Sequence, residues 1–264
     1  MSKTKLPGTC QYRYSVPGHE GVLCDAKSES GKDTCFWHTP SGKRQYPGIT
    51  EEFLRHRAAK KLPMEGFVLV GAEINETDLP GAIFRKGDFT ETGFREARMR
   101  GADFAEANLL SADFGEADLR EAVFRGANME RVVLDYSDFT KADFRKAKLM
   151  RCHGIKTVLA DADLSGADLT GARIEETVLT GARFEGANLE GARFENVVLE
   201  GASFRNANLK GAEILASRIL GVDFRGADLR GASFEDSLIE GVRLEGATLT
   251  GANFLGTSLA RRKA

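Results

Sequence analysis

From about Phe67 onward the chain keeps one interval, five residues, and never loses it. Thirty-nine positions at that spacing run from Leu69 to Leu259, and 38 of them are Leu, Ile, Phe or Met; the exception is Gly154. The residue two places earlier is small, as in Ala102, Ala107, Ala112, Ala117, Ala122 and Ala127, or elsewhere Thr177, Ser217, Val222, Cys152 and Gly87. Phe67 is the one large residue in that series. A period of five fits neither a helix, at 3.6, nor a long strand, at 2. It fits a solenoid whose wall turns a corner every five residues. The bulky residue points inward from mid-wall. The small one also points inward, by alternation along an extended segment, where a narrow corner leaves little room. Glycine two places after the bulky residue, as in Gly166, Gly171, Gly181, Gly186, Gly191 and Gly201, supplies the turn without steric cost.

The blocks Ala102-Asp103-Phe104, Ala107-Asn108-Leu109, Ala167-Asp168-Leu169 and Ala187-Asn188-Leu189 resemble the A(D/N)LXX motif of the pentapeptide-repeat family, over roughly residues 65 to 260. The resemblance implies an all-β fold: a right-handed quadrilateral β-helix with four pentapeptides per coil. A second period agrees with four walls. Phe84, Phe104, Phe124 and Phe144 are twenty apart, as are Phe184, Phe204 and Phe224, while Phe194, Phe234 and Phe254 fall on the opposite wall. The wall through Leu109, Met129, Leu149, Leu169, Leu189, Leu209 and Leu229 is aliphatic. Rings on two opposed walls and thinner aliphatics on the others would fill a narrow interior. Twenty residues per coil gives about ten coils and a rod on the order of 45 Å long. The unbroken phase leaves no room for an inserted loop, the usual seat of catalytic residues. Gly154 is read as a packing irregularity, or as a bulge with Ile155 taking the inward role.

Three segments follow: an N-terminal Cys/His module with a capping helix at 1–63, the β-helix at 64–260, and a basic tail at 261–264. An open solenoid end needs a cap. Thr50 to Leu62 reads as a short helix: Thr50 at the N-cap, Glu51 and Glu52 in the first turn, bases in the last, and Pro63 after it. Phe53, Leu54, Ala58 and Leu62 could cover the first coil. After Leu259 come Arg261, Arg262 and Lys263, and no dimerising helix is expected there.

Cys10, Cys24, Cys35 and His38, the last two at CxxH spacing, are the ligand set of a closed structural zinc site in a stretch too poor in apolar residues to order itself. His19 is the substitute ligand. The alternative is reduced cysteines packed on the first coil. Three local cysteines disfavour a disulfide. Cys152 reads as a core residue and His153 as an outward one.

Charge is uneven. Residues 1–63 carry net +5, residues 64–260 net −10, and the last four +3, for −2 in all. Glu91, Glu96, Glu106, Glu116 and Glu121 form one acidic zone; Glu175, Glu185, Glu190, Glu195 and Glu200 form another. Between them lies a basic belt: Lys141, Arg145, Lys146, Lys148, Arg151 and Lys156. Val158, Val178, Val198 and Leu238, twenty apart and interrupted by Arg218, should point outward together as a contact surface. The plain alternative is ordinary β-propensity.

No motif for phosphate cradling, a nucleophilic triad or a catalytic metal appears. The expected function is a non-enzymatic interaction or scaffold protein of bacterial type. Its protein partner is unnamed, and self-association through a lateral face or an end is open. The resemblance implies an alternative, a DNA-mimicking modulator of a type II topoisomerase such as gyrase. The basic belt, the absent dimer module and the lack of loops depart from that pattern. Neither direct nucleic-acid binding nor membrane insertion is expected. Without a secretory signal or an apolar run of about 18 residues, the default location is cytoplasmic.

Overall fold

The structure is a computed structural model and describes residues 51–258. The helix α1 covers Glu51–Ala59. It closes with Lys61 in the left-handed region (φ 51°), where Leu62 N–H donates to the Arg57 carbonyl at 2.8 Å and Lys61 N–H to the Ala58 carbonyl at 2.9 Å. Those crossed bonds satisfy carbonyls a helix end leaves open, so it stops before Leu62, short of the expected boundary. Leu54 and Ala58 are buried and Leu62 is half-buried. Buried Arg57 donates to the Pro63 carbonyl at 2.8 Å and lies 5.6 Å from the centre of the Phe67 ring. Phe67 is therefore large because it meets the cap.

Residues 64–258 wind into a four-walled solenoid of close to ten coils, with parallel pairing between residues twenty apart, from Val68 with Asp88 to Ser233 with Asn253. Three-residue strands emerge where pairing is most regular: β1 His153–Ile155, β2 Arg173–Glu175, β3 Arg193–Glu195 and β4 Glu213–Leu215 in one sheet, β5 Arg218–Leu220 and β6 Leu238–Glu240 in another. The backbone bonding repeats from coil to coil. The Leu69 amide donates to Asp88 on the next coil (2.7 Å), and the Asp88 amide donates back to Phe67 (2.7 Å). Ala72 N–H closes the corner on the Leu69 carbonyl at 3.0 Å.

The position two after each bulky residue has positive φ throughout, from Gly66 to Gly256. Glycine fills only part of that series. Glu96, Tyr136, Lys146, Asn206 and Ala216 hold the same conformation at φ 50° to 60°. A non-glycine residue there costs about 1–2 kcal/mol, which is offset in part by its N–H donating to the next coil, as Glu96 does to the Gly115 carbonyl at 2.8 Å.

Wall 1 carries the ring column Phe84, Phe104, Phe124 and Phe144, stacked at 5.0, 5.3 and 5.0 Å, and again Phe184, Phe204 and Phe224 at 4.5 and 5.3 Å. Wall 3, opposite, brings Phe114 edge-on to Phe104 and Phe124, at 5.8 Å each. Wall 2 carries the aliphatic column through Leu149, and wall 4 faces it with Leu119, Phe139 and Leu159. The two ring stacks are separated by Leu164 and Gly154, where a small apolar void of about 10 Å³ lies among Leu134, Phe144, Cys152, Ile174 and Phe184. Gly154 keeps the inward position and pairs with Ile174 in unbroken register. Ile155 is not inward, so no bulge forms: Leu134 and Ile174 lean into the space a side chain would have used.

Candidate interaction walls

The residue before each bulky position faces outward, and its chemistry is local. Asp88, Asp103, Asp113, Asp138, Asp143, Asp163 and Asp168 each accept the backbone N–H two residues on, at 2.8–3.2 Å. Asn208 and Asn253 do the same through their amide oxygens. The Asp/Asn alternation in the motif follows, since both residues supply that acceptor. Much of the rod's negative charge therefore caps its own corners.

On wall 1 arginines return onto these carboxylates. Asp143 accepts from Arg145 and Arg125, each at 2.7 Å, and Asp163 takes Arg183. Burial raises the Asp143 pKa, but the two guanidinium bonds outweigh it and hold the carboxyl well below the usual carboxylate range. Hydrogen bonds from Arg225 on wall 1 hold Asp223 at about 2, and those from Arg230 do the same for Asp228 on wall 2. Wall 1 is a self-neutralised ladder of planar ion pairs.

Wall 4 differs. Val158, Val178, Val198, Arg218 and Leu238 pair in one continuous outward column, as the spacing predicts. Val178 is 37% and Leu238 39% exposed, with Val158 and Val198 half-buried. Ala160 and Thr180 flank the valines, and Arg218 is drawn aside onto Glu200 at 2.9 Å.

One column went unread in the sequence beyond its small size. Ser137, Thr157, Thr177, Ser217, Ser237 and Thr257 stand twenty apart, buried at the corner between walls 3 and 4. Their hydroxyls stitch coils: Ser217 Oγ accepts from Val197 N–H at 3.1 Å and donates to the Leu215 carbonyl at 2.7 Å. Ser237 Oγ likewise accepts from Ser217 N–H at 3.0 Å.

The belt residues circle the rod within a single coil. Arg145 and Lys156 are paired, with Asp143 and Glu176. His153 is bound through Nδ1 to Asp135 at 3.0 Å. Cys152 is core, its thiol pushed up to about 12 by burial. Cys10, His19, Cys24, Cys35 and His38 lie outside the described residues, as do Thr50 and the tail 261–264. Among the described residues no group of three or more His, Cys, Asp or Glu is placed to hold a metal, and no helix is long and apolar enough to cross a membrane.

Comparison with known proteins agrees with this geometry. The family description "Pentapeptide repeats" matches in eight copies, over residues 88–120, 112–153, 157–196, 177–214 and 217–256. No curated protein matches the chain. Among solved structures it is similar to HetL, a pentapeptide repeat protein involved in heterocyst differentiation regulation from the cyanobacterium Nostoc sp. strain PCC 7120. Identity is 29% over 78% of this chain and 94% of that one, with a TM-score of 0.39. QnrB1, a plasmid-mediated fluoroquinolone resistance protein, is 17% identical over 74% of this chain and 93% of its own, at a TM-score of 0.44. A thylakoid-lumen pentapeptide repeat protein from Arabidopsis thaliana is 31% identical over 42% of this chain and 63% of its own, at a TM-score of 0.27.

Proposed function

The chain belongs to the pentapeptide-repeat family, and from that premise we propose that it is a non-enzymatic scaffold that docks a partner protein on wall 4. The observation that carries this reading is the outward column Val158, Val178, Val198 and Leu238 on a flat, rigid wall. On the other walls the outward positions are mostly polar or charged, and outward aliphatics such as Ile83, Val123 and Val133 form no comparable column. Four coil steps by one wall is about 19 Å by 10 Å, on the order of 200 Å². A lasting interface buries about 800 Å² per partner, so the contact is a transient one.

Light scattering tests it. Val178→Lys with Val198→Lys should abolish a mass increase that the unmodified chain shows with a native-cell lysate, at unchanged melting temperature. Association that persists in the double variant removes the reading.

The net charge of −10 over residues 64–260 favours a second reading, a duplex-like acidic rod acting on a topoisomerase such as gyrase. The arginine ladder on wall 1 weighs against it. A supercoiling assay with purified gyrase separates the two: inhibition or protection supports the mimic, and no effect leaves the scaffold. For the N-terminal segment we propose structural zinc on Cys10, Cys24, Cys35 and His38, tested by elemental analysis for about one zinc per chain, the content of a single closed four-ligand site.

A further inference from the structure

The cations of the rod are unequally partnered. Of the 23 Lys and Arg in 64–258, fifteen stand in ion pairs, among them Arg95, Arg120, Arg193 and Arg225. Among the described residues, eight do not, and five of these eight fall between 131 and 151: Arg131, Lys141, Lys146, Lys148 and Arg151. All five are exposed. Their place in the coil is informative. Lys146 and Arg151 stand at the two corners of wall 2, Lys148 lies between them on the wall, and Arg131 is one coil before Arg151. Lys146 and Arg151 run their stems over the neighbouring corner glycines, with Cγ atoms 3.7 Å and 3.8 Å from where Cβ atoms on Gly166 and Gly171 would sit. Those glycines leave room for the side chains to lie along the rod.

The nearby carboxylates offset this patch only in part, and neither forms an ion pair with it. Asp168, paired with Lys148 across the coils, already accepts from Thr170 N–H at 3.0 Å, Thr170 Oγ1 at 2.6 Å and Asn188 Nδ2 at 3.3 Å. Glu130 is the one other acid on the wall at this level. The patch therefore sets four cations against two acids within about two coils, a net positive excess that attracts an outside anion.

We propose that wall 2 at this level binds a short acidic segment of a partner protein. Its span decides the class of partner. A wall about 10 Å across accommodates three to four residues of an extended peptide, which places a carboxylate against each corner and the middle. A nucleic-acid duplex continues its phosphates beyond the patch onto the acidic zones at Glu106 and Glu190, which repel them. Single strands bind on stacked aromatics, and wall 2 presents none here. The site is on the wall opposite the valine column, so it stands or falls independently of the partner reading for wall 4.

The experiment is fluorescence anisotropy on the full chain with a labelled hexapeptide of alternating Glu and Asp, and with a labelled 20-base-pair DNA duplex, at about 50 and 300 mM salt. We expect the peptide to bind at low salt and to weaken as screening rises. The triple variant Lys146→Glu/Lys148→Glu/Arg151→Glu should weaken it by about ten-fold or more, with an unchanged melting temperature. Arg98→Glu/Arg205→Glu, a pair of unpaired cations on other walls, should leave it within about two-fold, as expected of charges outside the contact. Equal binding by the triple variant, tighter binding to the duplex than to the peptide, or no peptide binding at millimolar concentration would each overturn the proposal.

Discussion

Thr157 Oγ1 stands 2.9 Å from the point where a Cβ on Gly154 would lie, while donating to the Leu134 carbonyl at 2.8 Å. Gly154 is the one break in the bulky series, so repeat logic recommends restoring leucine there. The structure argues the opposite. Ile174 Cδ1 and Leu134 Cβ also close on that point, at 3.4 and 3.6 Å. Gly154→Leu should destabilise the rod by about 1–3 kcal/mol through overpacking, read as a lower urea midpoint. A stabilised variant would show that the neighbouring void absorbs the side chain.

Ala216 occupies a corner at φ 50°, where glycine pays no steric cost. Ala216→Gly should raise stability by up to about 1 kcal/mol. Gly226→Ala should do the reverse, because its φ of 69° strains any L side chain, while Asn206 would have to swing aside from the new Cβ. Thermal melts of the two variants should move in opposite directions.

Val197 is the missing rung of the hydroxyl column. Thr157 N–H donates to Thr177 Oγ1 at 3.3 Å and Val197 N–H to Ser217 Oγ at 3.1 Å, but Thr177 N–H finds a valine in the corresponding place. Val197→Thr should gain about 1 kcal/mol, and Ser217→Ala should lose about 1–3 kcal/mol by orphaning a buried donor. Urea midpoints of both check the claim.

The arginine–aspartate pairs on walls 1 and 2 make a pH prediction. Asp223 and Asp228 titrate at about 2 when folded, against about 3.9 in an unfolded chain. A folded-state pKa lowered in this way gives stability that is complete above about pH 4 and lost as pH falls toward 2. The melting temperature should drop across that window, and Asp143→Asn should flatten the drop. A melting temperature constant from pH 5 to 2 would contradict it.

The fold was legible because one interval governs every coil: once Phe104 and Phe124 are assigned inward, their 5.3 Å stack and the outward place of Val178 both follow. The corners were less legible. Glu96 and Lys146 take the same left-handed turn as glycine, because the turn is imposed by bonds from neighbouring coils rather than by local preference. The aspartates read as surface charge, whereas Asp103 and Asp168 also cap a corner by accepting the backbone N–H two residues away. The hydroxyls of Thr177 and Ser217 read as merely small, since their acceptor role depends on a donor twenty residues distant. The unpaired state of Lys148 is also invisible in sequence, where Asp168 looks like its natural partner.

The scaffold reading is tested most directly by placing a photo-activated cross-linker at Val178 on wall 4 and, separately, at Arg225 on wall 1, then irradiating native cells. The account predicts a discrete protein adduct from position 178 and none from position 225. Adducts of equal yield from both positions, or from 225 alone, would contradict it.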